Sequence, residues 1–439
     1  MTPSPTSSAD LTTQPLADGD ELVLSSGPAF GAATVVLTLG DGAAGDDHAG
    51  ASSLAMQLLD RGTGSHDRRA FYDALELLGA SVHLRAGRGT SSIEVRGLEA
   101  VLPEAVDLVI EAMRDPADDE DEWDAVLDEL ADDAERAIED PSGAVGQALA
   151  PCLWPGRAWG RPVDGTQATR AELELDDVRA ARARLFGAQA RIGVSGDDAT
   201  RLTEVALRWH DALRSLSPAR GVEPPKTPSA RFGALATIEM DDPQAGMSIA
   251  WSAPGVHDDA WPAVALHHAV YAGGFTSPLV RRIRAEAGLS YDVISDLIGG
   301  REASLQVLEI SPEATEVGRV FDEVAACWAA FVDRALTPDE VETARERLLG
   351  SHAIGLETVR QRLRAAINQR WLGRPVEALT TLPERIRALT IAELEAAATR
   401  WGPGAGPCTA VVAAPGDALA DAARASGLDA HAFDLDTIV

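Results

Sequence analysis

Hydrophobic and polar positions recur along this chain in two blocks that share the same order of punctuation. In the first block, Gly79-Ala-Ser-Val82 leads into two strand-like runs, His83 to Ala86 and Ser92 to Arg96. Leu102-Pro103-Glu104-Ala105 then opens a segment of helical spacing that runs to Met113. In the second block, Gly288-Leu-Ser-Tyr291 leads into strands, and Ser311-Pro312-Glu313-Ala314 opens the equivalent helix to Phe331. Proline at the first helical position, where its missing N–H costs nothing, accounts for both starts. A further helix follows each time, from about Asp121 and from the Thr337-Pro338-Asp339-Glu340 cap. Gly160-Arg-Pro-Val163 and Gly373-Arg-Pro-Val376 then precede a helix and a late strand, Ala190 to Val194 and Thr409 to Ala413.

The chain therefore reads as a duplicated α+β unit of about two hundred residues, rich in antiparallel strands with helices. Its expected organisation is a Ser/Thr/Pro-rich disordered segment over 1–18, a first half over 19–216, a linker over 217–231 and a second half over 232–439. The linker assignment rests on its prolines and on Lys226, the chain's single lysine.

Composition narrows the partners. Across 439 residues the net charge is -31, which repels nucleic acid and anionic membranes over most of the surface. There is no apolar run of the roughly 18 residues that a spanning helix needs, and Met1 to Pro15 lacks the regions of a signal peptide. Three widely spaced cysteines form neither a disulfide framework nor a zinc knuckle, so a reducing cytoplasm is the expected home. Fourteen carboxylates crowd Asp115 to Asp140, but Trp123, Val126, Leu127 and Leu130 fall at helical spacing, so this run reads as a solvated helix face.

The chemistry sits around Ala272-Gly-Gly-Phe-Thr-Ser277 and Leu279 to Tyr291. Leu279 to Glu286 predicts a short helix ended by Gly288 in the left-handed conformation, with an extended segment from Leu289. Arg284 then lies in a last helical turn and Tyr291 on the following strand, a fixed cation and a neutral phenol donor able to converge on one carbonyl. Residue types alone favour a plainer reading, a surface arginine and a half-buried tyrosine. The glycines of Gly273-Gly274-Phe275 suit either close backbone approach to a substrate or a tight helix-to-helix turn. No two of the nine histidines stand four apart, and His267 and His268 are adjacent on a helix and so diverge.

The string Gly273-Gly-Phe-Thr-Ser-x-Leu followed by Ile-Arg284-x-x-x-Gly-Leu-x-Tyr291, together with the duplicated halves and the linker, resembles the insulinase/pitrilysin-type peptidases, zinc enzymes with the inverted H-x-x-E-H motif. The resemblance implies two insulinase-like halves, the first bearing the zinc helix. Here that helix is Gly50 to Thr63, and in the register set by Arg61-Gly-Thr the histidine positions read Ser53 and Gln57 and the glutamate position reads Met56. Glu129 alone matches the third-ligand position. A hydroxyl and a carboxamide replace two imidazoles poorly, and a thioether takes no proton from water, so no metal and no cofactor is expected in this chain. Glu129 and Glu122 read as leftovers on an acidic helix.

In such families the zinc half-site and the arginine/tyrosine half-site come from different halves, which in small bacterial and organellar relatives reside on separate chains. The resemblance thus implies a zinc-free subunit that supplies Arg284 and Tyr291 to a same-fold partner carrying zinc and H-x-x-E-H. Its substrates would be unfolded peptides bound as added strands. The alternative is a scaffold protein with no part in proteolysis, and a homodimer would favour it.

Overall fold

Sheet registers decide the architecture of this computed structural model, which describes residues 10–219 and 226–439. It resolves into two compact units. The first holds β1 (Leu11–Pro15), β2 (Glu21–Ser26), β3 (Ala32–Leu39), β4 (Ser81–Ala86), β5 (Ser91–Leu98) and β6 (Ala190–Gly196), in the order β1-β2-β6-β3-β5-β4. The second holds β7 (Ala234–Glu239), β8 (Gly246–Pro254), β9 (Val293–Ile298), β10 (Ala303–Ile310), β11 (Thr409–Ala414) and β12 (Asp429–Ala432), in the order β12-β7-β11-β8-β10-β9. Shifting every label by five carries β2-β6-β3-β5-β4 onto β7-β11-β8-β10-β9, so the expected duplication is present strand by strand. In each sheet one central pair is parallel, β2 with β6 and β7 with β11, and the neighbours toward β4 and β9 are antiparallel.

The central strands of each sheet are buried on both faces, successive side chains pointing to opposite sides, while the edge strands keep exposed positions. In the first unit Leu22, Leu24, Val35 and Leu37 enter the main core, whereas Val23 and Val36 pack under Leu363, Ala366 and Ile367 of the helix Val359–Trp371. In the second unit Leu235, Met247, Ile249 and Val412 face the main core, and Ala236, Ile238, Val411 and Ala413 meet Ala144, Val145 and Ala148 of the helix Pro141–Leu153. The two covering helices are exchanged along the chain: residues 353–380 belong to the first unit and residues 133–160 to the second.

Charge fixes the first of these helices as well as burial does. The Glu94 carboxylate, on β5, accepts from both Arg360 and Arg364, and the Glu21 carboxylate, on β2, accepts from Arg191 and Arg370. An arginine fork grips a carboxylate in a fixed plane, so these pairs set the helix register on the sheet.

Three expectations need correction. Residues 1–9 and 220–225, parts of the expected disordered segment and linker, lie outside the described residues, but Leu11–Pro15 is a strand paired antiparallel to β2. Its position at the sheet edge accommodates Pro15, which has no N–H to give to a ladder. Pro103 does sit in the first turn of its helix, Leu102–Arg114, whereas Pro312 stands before the turn Ala314–Glu316 and uses its carbonyl to accept from the Ala245 N–H. Tyr291 precedes β9 in a bend rather than lying on the strand.

Candidate functional site

The arginine and tyrosine are brought together by a single turn of the second unit. Leu279, Val280 and Ile283 are buried, which pins the short helix Pro278–Val280 and its wider continuation Arg281–Glu286 to the core. In that continuation the Ala287 N–H bonds the Arg282 carbonyl, one residue farther back than in an α-helix, and Gly288 at φ 64° reverses the chain. Ser290 then anchors the exit, its hydroxyl donating to the carbonyls of Asp292 and Ser311.

The guanidinium of Arg284 lies 3.9 Å from the centre of the Tyr291 ring and 4.8 Å from that of Phe275. The expected convergence of two polar heads is therefore a stack: the cation sits on the faces of two aromatic rings, held by their quadrupoles. Tyr291 and Phe275 are 75% and 78% exposed, unusual for large rings in a soluble domain. Arg281 and Arg282 are tied to Glu286 and Glu323, but among the described residues no carboxylate lies within ion-pair distance of Arg284. A cavity of about 880 Å³ opens beside it, lined by Arg284, Tyr291, Asp292 and Glu313, and by Asp140 and Ser142 at the start of the exchanged helix. Asp140 caps that helix by accepting from the N–H groups of Ser142 and Gly143. Close approach here requires Gly246, since a Cβ there would stand 2.1 Å from the Pro141 carbonyl oxygen.

Gly273 and Gly274 serve the turn. A Cβ on either would press on the Arg347 guanidinium, which donates to the Ala269 carbonyl, and Ser277 closes the turn on the Gly274 carbonyl. Phe275 at its tip is the part of this loop that reaches Arg284.

In the first unit the degenerate zinc positions make other bonds. Met56 is in the core; the Ser53 hydroxyl donates to Asp164 and accepts from the Gln57 amide at 3.1 Å. Glu129 is no idle remnant. Its two carboxylate oxygens accept from the two terminal nitrogens of the buried Arg61, one at 3.0 Å, and Glu122 stands 3.8 Å from the same group. Hydrogen bonding from Arg61 holds the Glu129 carboxyl below its ordinary pKa despite some burial. No group of three His, Cys, Asp or Glu side chains among the described residues is arranged to hold a metal ion. His267 and His268 are both buried; His268 meets Gln306 and Ser295, and burial pushes His267 down to about 3.

The Arg61 clamp, the Ser53 to Asp164 bond and the stacking of the Phe275 ring on Arg284 were not read from the sequence. Arg61 was legible only as a register mark, since a contact across sixty-eight positions leaves no periodic signal.

With this geometry in hand, residues 175–348 match the family model described as the peptidase M16 inactive domain. That match covers less than half of the chain; the fold is insulinase-like, and Ser53, Met56 and Gln57 stand where the zinc motif would be. Among curated relatives, the chain is 23% identical over 353 residues to the "Non-peptidase homolog YmxG" of Helicobacter pylori, covering 79% of this chain and 80% of that one. It is 28% identical over 352 residues to the "Uncharacterized zinc protease Rv2782c" of Mycobacterium tuberculosis, covering 76% and 78%. Among solved structures it is similar to a peptidase M16 inactive domain from Pseudomonas fluorescens, with TM-score 0.82 and 19% identity over 92% of this chain and 98% of that one. A Helicobacter pylori protease gives TM-score 0.81 at 14% identity, covering 94% and 100%. At these identities the structural likeness concerns the fold. No helix among the described residues is long and apolar enough to cross a membrane.

Proposed function

We propose that this chain is the zinc-free subunit of an insulinase-type peptidase pair, and that it lends Arg284 and Tyr291 to a same-fold partner carrying zinc and H-x-x-E-H. The observation that carries this reading is a guanidinium with no carboxylate partner among the described residues, stacked on two exposed rings beside a cavity of about 880 Å³. An arginine kept only to hold its turn would be expected to pair, as Arg281 and Arg282 do. In the proposed role Arg284 grips a backbone carbonyl of an extended, unfolded peptide, and the Tyr291 phenol donates to the oxyanion formed when a partner-bound water attacks the neighbouring carbonyl. The peptide would lie as an added strand, which tolerates varied side chains. The expected setting is the cytoplasm.

A second reading, a scaffold protein without a role in proteolysis, is favoured by the name "non-peptidase homolog" given to one relative. One experiment separates the two. The chain is co-expressed with a same-sized chain bearing H-x-x-E-H, and peptide hydrolysis is measured for wild type, Tyr291→Phe and Arg284→Ala. Loss of one preorganised donor should lower turnover by about 10²- to 10³-fold with the dimer intact. Unchanged turnover in an intact dimer sinks the shared-site reading and leaves the scaffold. Chelator-sensitive hydrolysis by this chain alone would overturn both.

A further inference from the structure

Arg284 stays unpaired in acidic surroundings, and that needs a cause. Asp140, Asp242, Asp292 and Glu313 line the same cavity and make no ion pair among the described residues, whereas Glu316 is held by Arg319 at 3.2 Å. An arginine has the length and the rotamer freedom to swing onto such a neighbour. Arg284 does not, although Arg281 and Arg282 of the same turn both close on Glu286.

Two rings hold it back, and they come from different places. Tyr291 belongs to the turn that also bears Arg284, but Phe275 is delivered by the preceding turn, ahead of Pro278. That turn is firm at its base. The buried Ser277 bonds the Gly274 carbonyl through both its N–H, at 2.8 Å, and its hydroxyl, at 2.6 Å, and the two glycines leave room for the Arg347 guanidinium that donates to Ala269. At its tip Phe275 gains little burial, and the Arg284 cation lies over its ring. Packing does not account for a large ring left in water, whereas a hold on that cation does. An exposed ion pair gains little because water screens it, so contacts with two ring faces suffice to compete with it.

We propose that Phe275 is a positioning residue for Arg284: with Tyr291, its ring withholds the guanidinium from the cavity's own carboxylates, so that the N–H groups stay open to a substrate carbonyl. This role rests on the reading that Arg284 meets substrate, and Phe275 itself touches no reacting atom. Without the ring, Arg284 divides its time between a carboxylate and the substrate-ready position, and apparent affinity falls with the ready fraction. The signature is a raised KM at unchanged kcat. Loss of the Tyr291 phenol, which donates to the oxyanion, lowers kcat instead.

The test uses the co-expressed pair described above and an unstructured, quenched fluorogenic peptide. Phe275→Leu, which keeps an apolar side chain at an exposed position but offers no ring face, should raise KM about tenfold with kcat unchanged. Phe275→Tyr should match wild type. Adding Asp292→Asn and Glu313→Gln to Phe275→Leu should return KM to that of the ring-bearing chain with the same two changes, a non-additivity that a ring serving only its own turn would not produce. In the chain alone, the Arg284 Nε–Hε resonance, assigned by its loss in Arg284→Ala, should respond to the two acid substitutions only when Phe275 is replaced. An unchanged KM for Phe275→Leu, a defect that the acid substitutions do not relieve, or a resonance that behaves alike with and without the ring overturns the proposal. The two readings fail separately. If Arg284→Ala impairs hydrolysis and Phe275→Leu does not, only the role of Phe275 is lost; if Arg284→Ala also changes nothing, the shared site fails and the role of Phe275 falls with it.

Discussion

Replacing Glu94 by glutamine tests what holds the exchanged helix Val359–Trp371 to its sheet. Glu94 is 3% exposed; one carboxylate oxygen accepts from Arg360 at 2.8 and 2.6 Å, the other from Arg364 at 3.1 and 2.8 Å. The amide keeps one oxygen and turns the other acceptor into a donor facing a cation, so one arginine loses its partner outright. A hydrogen bond to a charged group contributes about 1.5–3 kcal/mol, and severing a buried ion pair costs about 3–5 kcal/mol. The arginine side chains are 29% and 55% exposed and can rehydrate, which reduces the expected cost to about 2 kcal/mol. That corresponds to roughly 30-fold in an opening equilibrium. Hydrogen exchange read by mass spectrometry on peptides spanning 359–371 should therefore lose about 30-fold in protection, while strands β3 and β6 keep theirs. Leu363→Ala, at a fully buried position under the same sheet, should open the helix at a cost of about 2–5 kcal/mol and calibrates the measurement. If Glu94→Gln leaves protection of the helix unchanged and Leu363→Ala does not, apolar packing alone holds it and the clamp argument is wrong.

Other outcomes follow from the same geometry. Gly246→Ala should push the start of the helix Pro141–Leu153 off its sheet and destabilise the second unit by about 1–3 kcal/mol, seen as a lower urea midpoint; an unshifted midpoint would contradict the close contact. Burial alone would raise the Asp20 pKa, but bonds from His210, Arg214 and the Ala190 N–H outweigh it and hold the carboxyl below its ordinary value. Its stabilisation is thus present above about pH 3.9 and lost as pH falls through the lower folded value. Asp20→Asn should flatten the acid limb of a urea-midpoint versus pH curve, and an identical limb would refute the assignment. After dialysis against micromolar zinc and desalting, elemental analysis should find less than one equivalent per chain; a full equivalent would show a site built from other residues than Ser53, Met56, Gln57 and Glu129.

What could be read from the sequence was local or repeated. The left-handed Gly288, the Leu279 and Ile283 anchor and the recurrence of strand order all follow from spacing that neighbours dictate. The Arg284 and Tyr291 pairing was legible for the same reason, seven residues and one turn apart, though its stacked form was not, because a ring face is invisible to residue type. The exchanged helices escaped because Leu363 and Ile367 have the periodicity of any buried stripe, which gives a face and no address. Arg61 escaped similarly, its partner Glu129 being one carboxylate among fourteen in that acidic stretch.

The exchange also sets a clock on synthesis. Chain enough for sheet one exists once β6 is made, at Gly196, but the apolar side formed by Val23 and Val36 is closed only by residues up to Leu379. At about 5–20 residues per second, that leaves roughly 10–40 s in which the nascent first unit carries a bare hydrophobic face. A chaperone acting on this protein would find its target in that interval, and a premature stop between the two points would leave the face uncovered for good.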